Sequence, residues 1–164
     1  MSKIIPLTKG LSALVDDEDY EFLSQWKWCA RISGNHCYAM RSEKDLNGRP
    51  RYIYMHRVVN QTPHGLLTDH VDGDGLNNTR ANLRSATNAQ NSRNVRRHKD
   101  SASPYKGVYR NQKLGKPWYA KIMIANRQVV LGFFDSEEDA MRAYETAAAQ
   151  SFGEFHAPQR SNPA

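Results

Sequence analysis

Short apolar runs alternate with polar punctuation through the first third of the chain. Residues 11–15, 26–30, 37–40 and 52–55 are β-prone, and Ser33-Gly34-Asn35 and Asn47-Gly48-Arg49-Pro50 stand between them as turn signals. That pattern predicts a small antiparallel sheet. Between the first two runs, residues 16–24 open with four acids in a row, which favours a short helix because negative charge is stabilised at a helix N-terminus. Trp26 and Trp28 share one face if the run is a strand, and no cluster of basic residues surrounds them, so they read as core.

The middle of the chain predicts a strand–loop–strand–helix unit. Leu66-Leu67 leads into a strand carrying Asp69-His70, a Gly- and Asn-rich stretch makes a loop, and Leu83-Arg84-Ser85 returns as a short strand. Thr87 and Gln90 then form a capping box, the reciprocal pairing that starts a helix, which puts Asn91 in the first helical turn. Residues 92–104 have little periodicity and many charges, the signature of a linker. Beyond it lie β-prone runs at 105–110, 118–124 and 128–134, separated by Gly115-Lys116-Pro117 and Ala125-Asn126-Arg127. Ser136 caps a last helix, on which Ala140, Ala143, Tyr144, Ala147 and Ala148 recur at helical spacing as a narrow apolar face. The predicted class is α+β: a β-rich N-terminal region leading into the strand–loop–strand–helix unit, then a three-stranded antiparallel sheet packed on one helix. The division is 1–98 with a core at about 51–98, a linker at 99–104, and a second domain at 105–158.

At 164 residues with 39% hydrophobic and 24% charged side chains, the chain suits one domain or two small ones. No 18-residue apolar run occurs and the first residues are too short an apolar stretch for a secretory signal, so the expected address is the cytoplasm, with no membrane partner. Cys29 and Cys37 are too few and too far apart for a cysteine zinc site and read as two small buried thiols. Charge changes the picture more. Residues 79–127 hold 12 basic and 1 acidic side chains, whereas residues 128–164 hold 2 and 6. Self-repulsion on that scale calls for a polyanionic partner, and nucleic acid leads.

The densest chemistry lies between Asp69 and Asn91. A hard divalent cation prefers oxygen ligands, so the Asp69 carboxylate and the Asn91 amide oxygen suit such an ion, with water and a phosphate completing its shell. The His70 imidazole has an ordinary pKa near neutrality and suits proton abstraction from water. Consecutive strand residues point to opposite faces, so Asp69 and His70 serve one site only if the strand ends there, and Gly73 and Gly75 permit that. Asp72-Gly73-Asp74-Gly75 is not a calcium loop, because Leu76 and Leu83 fall where an EF-hand needs oxygen. His56 reads as structural.

Met55-His56-Arg57-Val58-Val59, Asp69-His70, Asn82-Leu83-Arg84 and Gln90-Asn91 together resemble an HNH endonuclease of the phage and homing type, with its ββα-metal fold. The stretch from Val15 to Trp28 is similar to the β-rich region that often precedes it. The resemblance implies a general base at His70, a loop-bracing asparagine at Asn82, and metal ligands at Asp69 and Asn91. The last motif position is Asn where other members have His, which points to magnesium or manganese rather than zinc. The implied activity is hydrolysis of DNA phosphodiester bonds in a phage-infected or bacterial host cell.

Tyr105-Lys106-Gly107-Val108-Tyr109-Arg110, Trp118-Tyr119-Ala120-Lys121, Leu131-Gly132-Phe133-Phe134 and the alanine-rich helix resemble an Apetala-two or ethylene-response-factor DNA-binding domain. The resemblance implies a sheet that enters the major groove of double-stranded DNA, with Lys106, Arg110, Trp118 and Lys121 facing it and Lys113, Lys116 and Arg127 adding charge. Lys106 and Tyr109 stand where that family has arginines, which favours phosphate contact over bidentate guanine reading. The expectation is a monomeric two-part endonuclease. The competing readings are a DNA-binding protein without catalysis and an RNA-acting module.

Overall fold

The computed structural model describes residues 1–34, 36–94, 102–112 and 115–156. The chain divides into two units, Met1–Asn91 and the remainder from Ser92.

In the first unit, β1 (Ser2–Pro6) and β2 (Ser12–Asp16) pair as an antiparallel hairpin with Ile4 opposite Leu14. Alternation decides which side chains go inward: Ile5, Ala13 and Val15 are buried while Ile4 stays exposed. Helix α1 (Asp17–Leu23) follows at once, with three acids in its first turn. Strands β3 (Cys29–Ser33), β4 (His36–Lys44) and β5 (Pro50–Tyr54) make a second antiparallel sheet in that order. The apolar run at 11–15 therefore pairs with the first strand of the chain and not with the later runs, so one expected sheet is two.

Two expectations about this region are corrected. The tryptophans precede β3 and do not lie on a strand: Trp28 turns in to donate its indole N–H to the Leu23 carbonyl at the end of α1 (2.8 Å). Both do pack with the core, Trp28 at 3% exposure. A basic group also reaches them, since the Arg41 guanidinium from β4 lies 4.6 Å from the Trp26 ring and 5.8 Å from that of Trp28. Strand pairing supplies that cation, and nearness in sequence does not reveal it. Nor are the thiols both buried, for Cys29 is exposed and Cys37 half-buried.

Helix α2 (Met55–Asn60) drives Met55 and Val59 into the core, and Gln61 ends it in the left-handed conformation. Strands β6 (Leu67–His70) and β7 (Leu83–Ala86) pair antiparallel, with Asp69 opposite Arg84 and His70 opposite Leu83. Helix α3 (Asn88–Asn94) begins with the capping box: Thr87 N–H donates to Gln90 Oε1 (2.8 Å) and Gln90 N–H donates back to Thr87 Oγ1 (3.3 Å). The low-periodicity stretch that starts at Ser92 thus begins inside a helix. Of the expected linker, residues 99–101 lie outside the described residues.

The second unit holds β8 (Val108–Arg110), β9 (Trp118–Ile124) and β10 (Arg127–Phe134) in the order β10-β9-β8, all antiparallel, and helix α4 (Glu137–Phe152). Ser136 caps α4, its hydroxyl accepting the Asp139 N–H at 3.0 Å. Ala140, Tyr144, Ala148 and Phe152 pack with Val108, Ala120 and Ile122, and the small alanines let helix and sheet approach closely. Gly107 is where that approach is tightest: at φ 75° a Cβ there would lie 2.0 Å from the Tyr144 ring. Among the described residues no helix is long and apolar enough to cross a membrane.

Candidate active site

Strand β6 stops at His70, and the loop after it is built by polar side chains folding back on their own backbone. Gly73 N–H donates to the His70 carbonyl (2.9 Å), with Gly73 at φ 72°. The Asp72 carboxylate accepts from Asp74 N–H (2.8 Å), Asn77 Nδ2 (2.7 Å) and Asn82 Nδ2 (2.9 Å). Burial acts to raise the Asp72 carboxyl, but these three hydrogen bonds outweigh it and hold the group below the usual carboxylate range. Asn82, 8% exposed, closes the loop from the far side. Its Oδ1 accepts Asp72 N–H at 3.0 Å and its Nδ2 also donates to the Asn77 carbonyl at 2.8 Å.

The same loop is pinned to β2. Leu14 N–H donates to the Leu76 carbonyl (2.9 Å) and Asn78 N–H to the Leu14 carbonyl (2.7 Å). Gly75 rests so near β4 that a Cβ would come within 2.3 Å of the Cys37 carbonyl oxygen and 2.6 Å of the Tyr38 ring. Arg80 ties the far end down through Asp19, with Nε and Nη2 at 2.8 and 2.6 Å from its two carboxylate oxygens.

His70 is 6% exposed, and its Nε2 lies 3.4 Å from Oδ1 of the fully buried Asn78. An amide oxygen only accepts, so this contact selects the tautomer with the proton on Nε2. Burial pushes the imidazole below its ordinary pKa, partly offset by Asn78, Asp72, Asp69 and Asp74, and the ring is neutral at neutral pH. Its neighbours are aromatic: His56 meets it edge to face at 5.2 Å and Tyr38 lies at 6.0 Å. Burial, with the neighbouring His70 and Arg57 acting the same way, brings the His56 imidazole down to about 3. Asp69, 4% exposed, sits behind His70 on the same short strand, and its Oδ2 accepts from Arg84 Nε (2.8 Å) and Nη2 (2.7 Å). Asn91 lies half-buried in the first turn of α3, its N–H donating to the Thr87 carbonyl at 2.9 Å.

Over 153 residues, 93% of this chain and 76% of the relative, the sequence is 32% identical to an uncharacterized HNH endonuclease of Acanthamoeba polyphaga mimivirus. The chain belongs to the HNH endonuclease family. No family model matches it. The matched stretch is longer than either unit, so the likeness to the viral HNH endonuclease extends across both.

Within this HNH chain, the sequence reading singled out His70, Asn82, Asp69 and Asn91. The first three lie on β6 and on the loop that returns to β7, and Asn91 follows one turn into α3. Two side chains that organise this region were not singled out, Arg84 on Asp69 and Arg80 on Asp19; Asp72, weighed only as a calcium ligand, holds the loop, and His56, read as structural, packs against His70. Arg80 and Asp19 are 61 positions apart, beyond the reach of periodicity. Arg84 carried a usable signal, because antiparallel return of residues 83–85 puts a cation opposite the acid two places before the loop.

The residues expected to face DNA divide between the two faces of the second sheet. Cross-strand partners point the same way, and Val108 and Ala120 are partners under α4, so Tyr109 with Tyr119 and Phe133 with Tyr119 belong to the opposite, open face. Lys121 joins them, its Nζ 4.4 Å from the centre of the Tyr109 ring. Trp118 and Arg110 pair with each other on the helix side, where Trp118 packs against the core and Arg110 is exposed. Lys106 is drawn inward, with Nζ donating to the Arg93 carbonyl at 2.6 Å, and burial lowers its pKa. Lys116 pairs with Asp135 at 3.1 Å and Arg127 is exposed at the start of β10. Lys113 lies outside the described residues.

Proposed function

We propose that this protein is a metal-dependent DNA endonuclease of the phage and homing HNH type, in which residues 67–94 form the ββα-metal unit and the C-terminal sheet, an Apetala-two-like module, holds double-stranded DNA. The observation that carries the reading is His70, neutral and oriented by Asn78, at the mouth of a loop that Asn82 and Asp72 lock, in a chain of this family.

Asp69 and Asn91 offer a carboxylate and an amide oxygen, the donor chemistry that magnesium or manganese takes, and such ions keep waters and substrate phosphate in their remaining positions. Asp69 Oδ2 already accepts twice from Arg84, so such an ion would share that carboxylate with the guanidinium. Bound there, it supplies positive charge against the phosphate and the departing 3′ oxygen. With the Nε2 proton held toward Asn78, the His70 lone pair lies on Nδ1, and that atom takes the proton from the attacking water. Arg84 keeps the Asp69 carboxylate in one orientation. Asn82 holds the loop and His70 in register and does not meet substrate. The products are 5′ phosphate and 3′ hydroxyl ends.

Incubation of the monomeric protein with supercoiled plasmid and magnesium or manganese tests this. Nicking by the native chain, lost in His70→Ala with duplex binding retained, is the expected result. Absence of nicking with either metal across a range of salt would leave a DNA-binding protein without catalysis.

A further inference from the structure

The open face of the second sheet is apolar where a DNA-reading face is ordinarily cationic. Phe133, Met123 and Val130 are 54%, 56% and 50% exposed, and Tyr109 is 39% exposed. Tyr109, Tyr119 and Phe133 run across the three strands as a ladder with ring centres 5.4 and 5.9 Å apart. Gln128, the partner of Met123, brings an amide to the same face, and Lys121, the partner of Val130, its ammonium. Among the described residues, no arginine stands at a position of the three strands that points to this face. Its surroundings are nonetheless set for a polyanion: residues 103–134 contain six basic and no acidic side chains, whereas residues 135–154, which carry α4, contain six acids. Charge is thus segregated along the chain, basic through the strands and acidic through α4, and Lys121 carries that positive charge onto the open face.

We propose that this face reads the 5-methyl groups of thymine in the major groove, and so selects A·T-rich duplex. The inference rests on the reading of the sheet as the duplex-holding element and names what it recognises there. The major groove admits a β-ribbon, and thymine is the one base that presents a methyl in it. Exposed Phe, Val and Met side chains gain nothing from the polar edges of G·C pairs but bury apolar area against methyls. Gln128 adds a second preference of the same sign, since a carboxamide pairs with the adenine edge. Lys121, anchored over Tyr109, supplies one charge at the centre without choosing a base.

Fluorescence anisotropy of the full chain on short alternating A·T and A·U duplexes, which differ only in the methyl, tests the proposal. The expected loss with uracil is roughly fourfold per methyl buried. Alternating G·C duplexes with and without 5-methylcytosine provide the converse arm, in which the added methyl tightens binding. Val130→Ser and Phe133→Ser, both on exposed positions, bring the affinity ratio within each pair close to one while the circular dichroism spectrum stays unchanged. Equal affinity within each pair overturns the methyl reading and leaves the duplex-holding role standing; no binding to any duplex overturns that role as well. A native dimer that Phe133→Ser converts to monomer, with the methyl ratio unmoved, also overturns the proposal, because the face then serves a second copy of the chain.

Discussion

Asn82 and Asp72 are joined twice across one loop: the asparagine amide accepts the Asp72 N–H at 3.0 Å and donates to the Asp72 carboxylate at 2.9 Å. Few side chains can do both, because the role requires an acceptor and a donor on one short planar group. Asn82→Ala removes both partners of a buried site and costs about 2 kcal/mol, the scale of leaving buried polar groups unsatisfied. Asn82→Asp is worse for activity, since it keeps the acceptor and sets a second carboxylate against Asp72. Urea unfolding and plasmid nicking check the pair: stability falls modestly in both, and nicking falls further in the aspartate variant.

Arg84 and Asp69 face each other on paired strands, both largely buried. Arg84→Met therefore leaves a buried carboxylate without its cation, a loss of about 3–5 kcal/mol. Replacing Asp69 with Asn in the same chain recovers more than half of that. A double-mutant cycle in urea is the measurement, and additive effects would show that the ion pair contributes nothing to folding.

How far the sequence carried the fold depended on how local each signal was. Thr87 and Gln90 announced α3 because a capping box is complete within four residues, and Ser136 announced α4 for the same reason. Trp28 misled because period two describes a strand equally well as a short connector whose indole is fixed by the Leu23 carbonyl. The candidate site was legible where the pattern is local: the strand ending at Asp69-His70 and the loop that Asn82 braces. It was opaque where long-range pairing places ordinary ones, as with Arg80 on Asp19 and Arg41 over Trp26. On the second sheet, Trp118 was assigned to the nucleic-acid face by resemblance, yet its pairing with Arg110 puts it on the helix side.

Gly107→Ala tests the closeness of helix and sheet in the second unit. The backbone there has φ 75° and the added methyl meets the Tyr144 ring, itself 6% exposed and unable to yield. Strain at positive φ and overpacking each cost about 1–3 kcal/mol, so the unit loses most of its stability. Limited proteolysis then cuts within residues 103–156 while the first unit survives. Gly107→Ala combined with Tyr144→Leu, which opens the space, recovers part of the loss. A variant as resistant as the native chain would show that the ring moves aside freely.

Acid sensitivity follows from His56. Its folded pKa of about 3 lies well below the ordinary 6.5, with burial the main cause, and its buried Nδ1 has no hydrogen-bond partner. Between those values the unfolded chain binds a proton that the folded chain does not, so stability is full above the ordinary histidine pKa and declines as the pH falls below it. The slope from this one group is at most about 1.4 kcal/mol per pH unit. His70, lowered by burial as well, adds to the slope with the same sign. Urea unfolding between pH about 6.5 and about 5, a window above the ordinary carboxylate range, isolates the histidine contribution. His56→Phe keeps a ring against Tyr54 and His70 but cannot take up a proton in either state, so its curve is flatter by up to one proton. Parallel curves for the variant and the native chain would mean that His56 takes up its proton equally in the folded and unfolded states, so that burial does not act on it as described.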